Sequence, residues 1–561
     1  MPQPTESLKH FCCWLFAFFL MVFGAYDWVA WLYGSPMPYW DQWDEAINVF
    51  KPWAEGRLEW TDLLTPSNDH RPILTYLLDL GLIWLNGRWD PFLQMMVDGW
   101  LHAVYAAGLA FSLWHFGGRR HGWWICALLL PFFTLPFAGE NEIWGYMSQW
   151  HFAQLFGLGT IVGMGFFRAG STPWWLGVAA AALGVLSMAS GPFAPLAVVG
   201  LCGLRAIKQR RGQKDGLVTV AFCLALAGMG MAIRVPMTGH QPLHAHSLAE
   251  FSSAMIRHLA WPYFQSPWMA VVVLLPLAAL LASYLRGQEP ALAAELPLTL
   301  ALWSLIYSAA LAYGRANYGE GIPASRYTEV FSLLLITSLY ATVRLATHGP
   351  RAPLAQWHGV LPLVFACLLV WGLWKITELT VSSLLTQIRL TNLTAEERVE
   401  VYAVSRNEQE FLTPPTVSPN PRMALELLSD PRMQSILPAV CVPPAAAKTS
   451  GLLTVVAGWL LARSPALVLL GGAMFAGLCV YGLARRTLGI TAQKPEELFV
   501  LAALLGTMCL LASQQSWRRD AIDYRLESYL AFNFNFHGMP ARAAIHQQKA
   551  DELKSRPGLP H

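Results

Sequence analysis

Runs of apolar residues long enough to cross a bilayer recur along almost the whole chain, and they leave little choice of fold. Each stretch covers roughly 17 to 23 residues, the length at which an α-helix spans a ~30 Å hydrocarbon core. Inside that core every backbone N–H and C=O has to be satisfied within the segment itself, so crossing segments are helical. Composition points the same way: 55% of the 561 residues are hydrophobic and 13% are charged, against about 25% charged in ordinary soluble domains. The expected fold is an all-α polytopic membrane protein with about 11–13 transmembrane helices.

The first stretch, Phe11 to Tyr33, has no small-residue cleavage site and ends in Trp28, Trp31 and Tyr33, so it reads as a retained helix and not a signal peptide. A net charge of +3 gives no support for a nucleic-acid partner. Eight of the nine cysteines lie in apolar runs and Cys441 stands alone in a polar one, which indicates neither a disulfide framework nor a zinc site. Nothing in the chain resembles a phosphate-cradling glycine loop, and nucleotide hydrolysis is not expected.

Arginine and lysine between the spans set the orientation. The basic clusters Arg119-Arg120, Lys208 to Lys214, Arg344 to Arg351 and Arg485-Arg486 all fall on one side if Pro72 to Gly87 lies along the membrane without crossing it. Spans are then expected at 11–33, 93–116, 122–138, 152–167, 173–190, 193–207, 217–234, 269–285, 296–313, 327–345, 359–380, 452–484 and 497–513, with 452–484 long enough to be two helices. The 34–92 loop, Glu140 to His151, Met237 to Trp268, Gly314 to Tyr327 and the 381–450 segment fall on the opposite, outer side. In outline, residues 1–380 form the main membrane module, 381–450 a small polar helical segment with a helix start at Thr394 to Glu397, 451–515 the last membrane helices, and 516–561 a polar tail.

The 34–92 loop holds most of the chemistry. It places Asp41, Asp44 and Glu45 in Tyr-Trp-Asp-Gln-Trp-Asp-Glu just after the first span, followed by Asn68-Asp69-His70-Arg71-Pro72. A chain with so few charges has little reason to group them there unless a ligand or a reaction uses them. Asp44-Glu45-Ala46-Ile47-Asn48, then Ala54-Glu55-Gly56-Arg57, then His70-Arg71-Pro72-Ile73-Leu74-Thr75-Tyr76-Leu77 and the apolar run to Asn86-Gly87 resemble the first outer loop of GT-C membrane glycosyltransferases of the protein-mannosyltransferase and aminoarabinose-transferase type. In that family a span is followed by an Asp-Glu pair, a juxtamembrane helix, and a second helix lying along the membrane. Glu140 to Trp150, Gly314-Arg315-Ala316 and Ala324-Ser325-Arg326-Tyr327 resemble further segments of bacterial relatives. His-Arg-Pro stands here where His-Pro-Pro is commoner.

The resemblance implies a GT-C-like fold with juxtamembrane helices in the first outer loop. It also implies a bacterial inner-membrane location with the site on the periplasmic face, and transfer of a sugar from a polyprenyl-phosphate carrier to a glycan, lipid or protein acceptor. A carboxylate would take the acceptor hydroxyl's proton as the new bond forms. Asp44 is the first choice, with Asp41 as the second. A guanidinium would meet the carrier phosphate, for which Arg326 precedes Arg315. Glu45, His70, Arg71, Glu142, Gln149 and Tyr327 complete the expected substrate-binding set. No metal site is assigned: His240, His244 and His246 lack a fourth ligand, and a divalent metal has no motif to support it. Other readings stay open, namely an O-antigen ligase or polymerase using the 381–450 segment, or a lipid or glycan transporter. A transporter is expected to carry its polar residues near mid-membrane rather than at span ends.

Overall fold

The computed structural model describes residues 7–118, 122–209, 214–319, 323–348, 360–412, 418–443, 451–487 and 519–555. Among them all regular structure is helical, apart from one isolated bridge between Ser67 and His70. Six helices among the described residues are long and apolar enough to cross a membrane: Leu8–Tyr33, Asp215–Ala232, Ala291–Gly314, Ser325–Ala346, Leu363–Ser405 and Leu452–Tyr481. The chain is an all-α, multi-pass membrane protein. The Pro91–Phe116 and Ser148–Phe166 helices and the shorter apolar helices Gly122–Thr134, Thr172–Val185 and Met269–Leu285 pack with these spans.

The Leu8–Tyr33 helix lies centrally, against Leu452–Thr487, Pro91–Phe116 and Gly122–Thr134. Its contacts follow from residue size. Phe11 stacks on Trp114 with ring centroids 4.2 Å apart. Gly24 sits so near the Leu452–Thr487 backbone that a Cβ there would meet the Ser464 carbonyl at 2.8 Å. The stretch from Leu452 to Thr487 is one helix of 36 residues, not two, and it runs through Pro465. The expected helix start at Thr394 is also corrected. The helix that begins at Val360 continues through a π-turn at Thr380–Leu385 into Thr386–Ser405, and Thr394 Oγ1 bonds back to the Leu390 carbonyl, so it is an interior residue with no capping role. The expected span 497–513 and Arg119-Arg120 fall outside the described residues.

Polar segments gather at one end of the bundle, called here the loop end. Asp69 accepts hydrogen bonds from Val235 N and the Arg234 side chain, Asn317 Nδ2 donates to the His244 carbonyl, and Trp89 N donates to the Ile436 carbonyl. Ser35 Oγ donates to Glu396. The C-terminal residues are not a loose tail: Arg519–Phe536 and Pro540–Lys554 pack as a helical pair against Thr386–Ser405 through Arg389–Asp523 (2.9 Å) and Arg542–Glu397 (2.9 Å). Arg519 donates to the Trp31 carbonyl, which fixes this pair to the loop end. The pairs Arg205–Glu295, Arg344–Glu289 and Arg168–Asp215 tie together helix ends away from this cluster.

The Ile73–Asn86 helix has 14 residues, about 21 Å at 1.5 Å per residue and short of a ~30 Å core. It buries Thr75, Tyr76, Asp79 and Ile83 while Trp84 and Leu85 stay exposed, the pattern of a helix lying along an apolar surface.

Candidate functional site

The first span stops at Gly34, and the chain reaches Asp41 through an unusual turn. Trp40 has φ 48°, then a short helix at Gln42–Glu45 passes into a π-turn at Ala46–Phe50. Positive φ is costly for a bulky side chain. Among the described residues only Trp40, Asn68 and Arg406 adopt it without being glycine. Two of the three converge on one group: Trp40 precedes Asp41, and Asn68 Nδ2 donates to Asp41 Oδ2 at 2.9 Å. Such strained backbone persists only where its surroundings hold it, and it concentrates at ligand sites.

Around Asp41 the fold assembles residues from distant parts of the chain. His70 Nδ1 lies 3.4 Å from Asp69 Oδ1, and its Nε2 meets Gln149 Oε1. Arg326 Nη1 donates to Glu140 Oε1 at 2.7 Å, while Ser325 Oγ donates to Glu140 Oε2 at 2.8 Å. Asn141 Nδ2 donates to the Arg326 carbonyl at 3.2 Å. The Arg326 guanidinium stacks 5.0 Å from the Tyr327 ring centroid and keeps 25% of its side chain exposed. Arg315 reaches the same region by donating from Nη2 to His240 Nδ1 at 3.2 Å.

Electrostatics bind the cluster together. Burial pushes the Asp41 carboxyl above its ordinary value, while the Asn68 hydrogen bond and the charges of Arg326, His70 and His240 hold it down. Asp44 is exposed, and its carboxyl is raised to about 6 by desolvation first and then by the negative charge of Asp41. Asp69 shows the opposite sense. Burial alone would raise it, but the His70 hydrogen bond and charge and the Arg234 guanidinium hold it below the usual carboxylate range.

The fold therefore brings together Asp41, Asp44, His70, Gln149, Arg326 and Tyr327, with Arg315 alongside. Three expected binding residues are elsewhere. Glu45, the next residue on the short helix after Asp44, is 1% exposed; burial first, and then Asp79, drive its carboxyl well above the ordinary value. Glu142 points into the bundle rather than to the surface, and burial followed by the charge of Glu329 raises it. Arg71 donates to the Leu64 carbonyl and closes the turn ahead of Pro72. Trp144 and Trp150 are both buried, and Trp150 Nε1 donates to Glu329. Asp79 is buried too.

Ionisable groups also lie inside the bundle: Asp27, Asp98, His102 and His151 are buried within its helices, and Glu329 is buried in the first turn of Thr328–His348. Gly99 lets two of these helices approach closely: a Cβ there would meet Asp27 Oδ1 at 2.5 Å. Their one sequence signal is an ionisable residue inside an apolar run, which is expensive in a membrane and seldom idle.

No family model, curated protein or solved structure matches the chain. Fold and site together define a multi-pass helical membrane protein with a polar, partly strained cluster where its helices end.

Proposed function

We propose that the chain is an integral membrane glycosyltransferase of GT-C type, moving a sugar from a polyprenyl-phosphate carrier to an acceptor hydroxyl at the loop end. The observation that carries this reading is the convergence of Asp41 and Asp44 with Asn68, His70, Gln149 and Arg326, at the point where spans leave the membrane. A prenyl tail then lies in lipid while its phosphate reaches Arg326. Asp44, exposed and raised to about 6, is suited to receive the acceptor's proton near neutral pH. Asp41 lies beside it, in the field of Arg326. The phosphate shares the Arg326 guanidinium with Glu140. The loop end is proposed to face the periplasm of a bacterial inner membrane.

The test is transfer or hydrolysis of radiolabelled polyprenyl-phosphate sugars by purified full-length protein in lipid nanodiscs. Release of sugar that depends on Asp44 and on the carrier is the expected result. Carrier that neither binds nor turns over, across hexose and pentose donors, would sink the proposal.

A second reading, a lipid or glycan transporter, draws on the buried Asp27, Asp98 and Glu329, since ionisable groups in the interior are what a transport path requires. Movement of labelled carrier across proteoliposomes without cleavage of its sugar would favour it.

A further inference from the structure

Beneath the loop-end site, three helices far apart in the sequence bring His102, His151 and Glu329 together. One donor atom from each lies within 4.8 Å of the other two. The three residues are 5%, 0% and 8% exposed, and the two imidazole centroids are 5.4 Å apart.

Hydrogen bonding leaves one unused donor on each residue. His102 Nε2 faces the Phe133 carbonyl at 3.4 Å; a carbonyl only accepts, so the proton sits on Nε2 and the lone pair on Nδ1. That Nδ1 has no hydrogen-bond partner and lies 3.7 Å from Glu329 Oε1, too far for a hydrogen bond. His151 Nε2 lies 3.1 Å from the Tyr26 hydroxyl, which gives its own hydrogen to the Asn141 carbonyl and so accepts from the ring. Nδ1 of His151 is left unpartnered as well. On Glu329, Oε2 takes hydrogen bonds from Trp150 Nε1 (2.9 Å) and Gln154 Nε2 (2.6 Å), and Oε1 is the oxygen that faces His102. Metal-binding histidines share this arrangement, with the far ring nitrogen donating to a carbonyl or another oxygen and the near one kept free.

Further buried carboxyl groups surround the three residues. Asp27, Asp98 and Glu142 are buried nearby with oxygens that lack partners, and with Glu329 they all lie within electrostatic range of the Tyr26 hydroxyl. Among the described residues, none of these four carboxylates forms an ion pair with arginine or lysine.

We infer that His102, His151 and Glu329 form a buried binding site for a divalent first-row transition metal ion, zinc being the best match. Two imidazoles and one carboxylate suit zinc, whereas calcium and magnesium prefer sets made only of oxygen. Bonds of about 2.0–2.2 Å would draw the donors to about 3.4 Å of one another, close to the 3.7 Å already separating His102 Nδ1 and Glu329 Oε1. Glu329 is one turn from Arg326, and His151 follows Gln149 by two residues. The ion therefore ties together the helices that carry the floor of the loop-end site.

Occupancy is read without substrate, so it is independent of the transfer reaction proposed above. Full-length protein bearing a non-histidine tag is purified in detergent and analysed by elemental mass spectrometry, as isolated and after chelation and reloading with Zn²⁺. The expected content is about one ion per chain, falling to about a tenth or less in His102→Ala and His151→Ala. Wild type that stays near zero after reloading, or variants that keep the full content, would overturn the site. Should both variants misfold, Co²⁺-loaded wild type decides: X-ray absorption is expected to register two imidazole ligands, and a spectrum without histidine scattering rejects the assignment.

Discussion

The loop-end cluster and the buried cluster beneath it are built from the same residue types, yet they treat polar atoms in opposite ways. At the loop end charged groups mostly meet partners: Asp41 with Asn68, His70 with Gln149, Arg326 with Glu140. In the interior Asp27, Asp98, Glu142, His102 and His151 all keep atoms with no partner. A partnered site open to water is preorganised, and removing one exposed carboxylate costs chemistry more than stability. An unpartnered buried set stores free energy that only a proton, an ion or a ligand can release, so its residues trade directly against folding.

The largest effect expected from this contrast is on catalysis. Asp44→Asn should lower transfer by about 10²–10⁴-fold, the usual loss on removing a general base, while the thermal unfolding temperature stays near that of wild type because Asp44 is exposed. Asp41→Asn should be damaging to a lesser degree. Full transfer by both variants would erase the distinction at its outer half. Next comes Glu329→Ala, where the expected loss is in stability: Trp150 Nε1 and Gln154 Nε2 lose their shared acceptor, each at about 1–3 kcal/mol. Glu329→Gln keeps an acceptor and should recover much of that. Unfolding curves in one detergent measure the order, and equal stability of Glu329→Ala and wild type would mean the interior is not held as described.

The two regions also differed in how far the sequence revealed them. Loop-end residues come in short runs, Asp41 to Glu45, Asn68 to Pro72, Glu140 to Gln149 and Ser325 to Tyr327, and a polar run between apolar spans is visible without coordinates. What the runs could not supply was facing. Asp44 and Glu45 are neighbours on one helical turn, and consecutive residues there point about 100° apart, so one meets water and the other is buried beside Asp79. The interior residues have no spacing to read. His102, His151 and Glu329 come from three helices and meet only through tertiary packing, and each alone looks like an isolated polar residue in an apolar span. The same holds for the C-terminal helices, whose place at the loop end rests on Arg389–Asp523 and Arg542–Glu397 pairs that no local pattern announces.

Arg326 tests a smaller, sharper part of the contrast, namely whether a partnered group at the loop end is there for a ligand or for its partner. Arg326→Lys keeps the charge that faces Glu140 but loses the planar fork that matches a phosphate. Donor dependence should weaken by about tenfold or more, one good hydrogen bond's worth, with folding unchanged. Lysine with wild-type donor kinetics would make the Glu140 pair a structural tie and move the phosphate to Arg315 or His70.

The smallest expected effect is a displacement of a pH profile, and it asks whether Asp41 and Asp44 act as a pair. Asp44 must be ionised to accept a proton, so the rate should fall as pH drops through about 6, the value to which desolvation and then the Asp41 charge raise it. Asp41→Asn removes the second cause and leaves the first. Ionising Asp44 then no longer places a second negative charge beside Asp41, its proton is held less tightly, and the acid limb of the residual activity should move to lower pH. Desolvation keeps the limb above the ordinary carboxylate value of 3.8. The comparison is made from the midpoint of the acid limb, read at saturating donor for both proteins, so that a lower plateau in the variant does not enter. A midpoint that stays where it was would mean that the titrating group does not feel Asp41. A midpoint that rises would assign the limb to a group that Asp41 holds down, and Asp44 would lose the role of base.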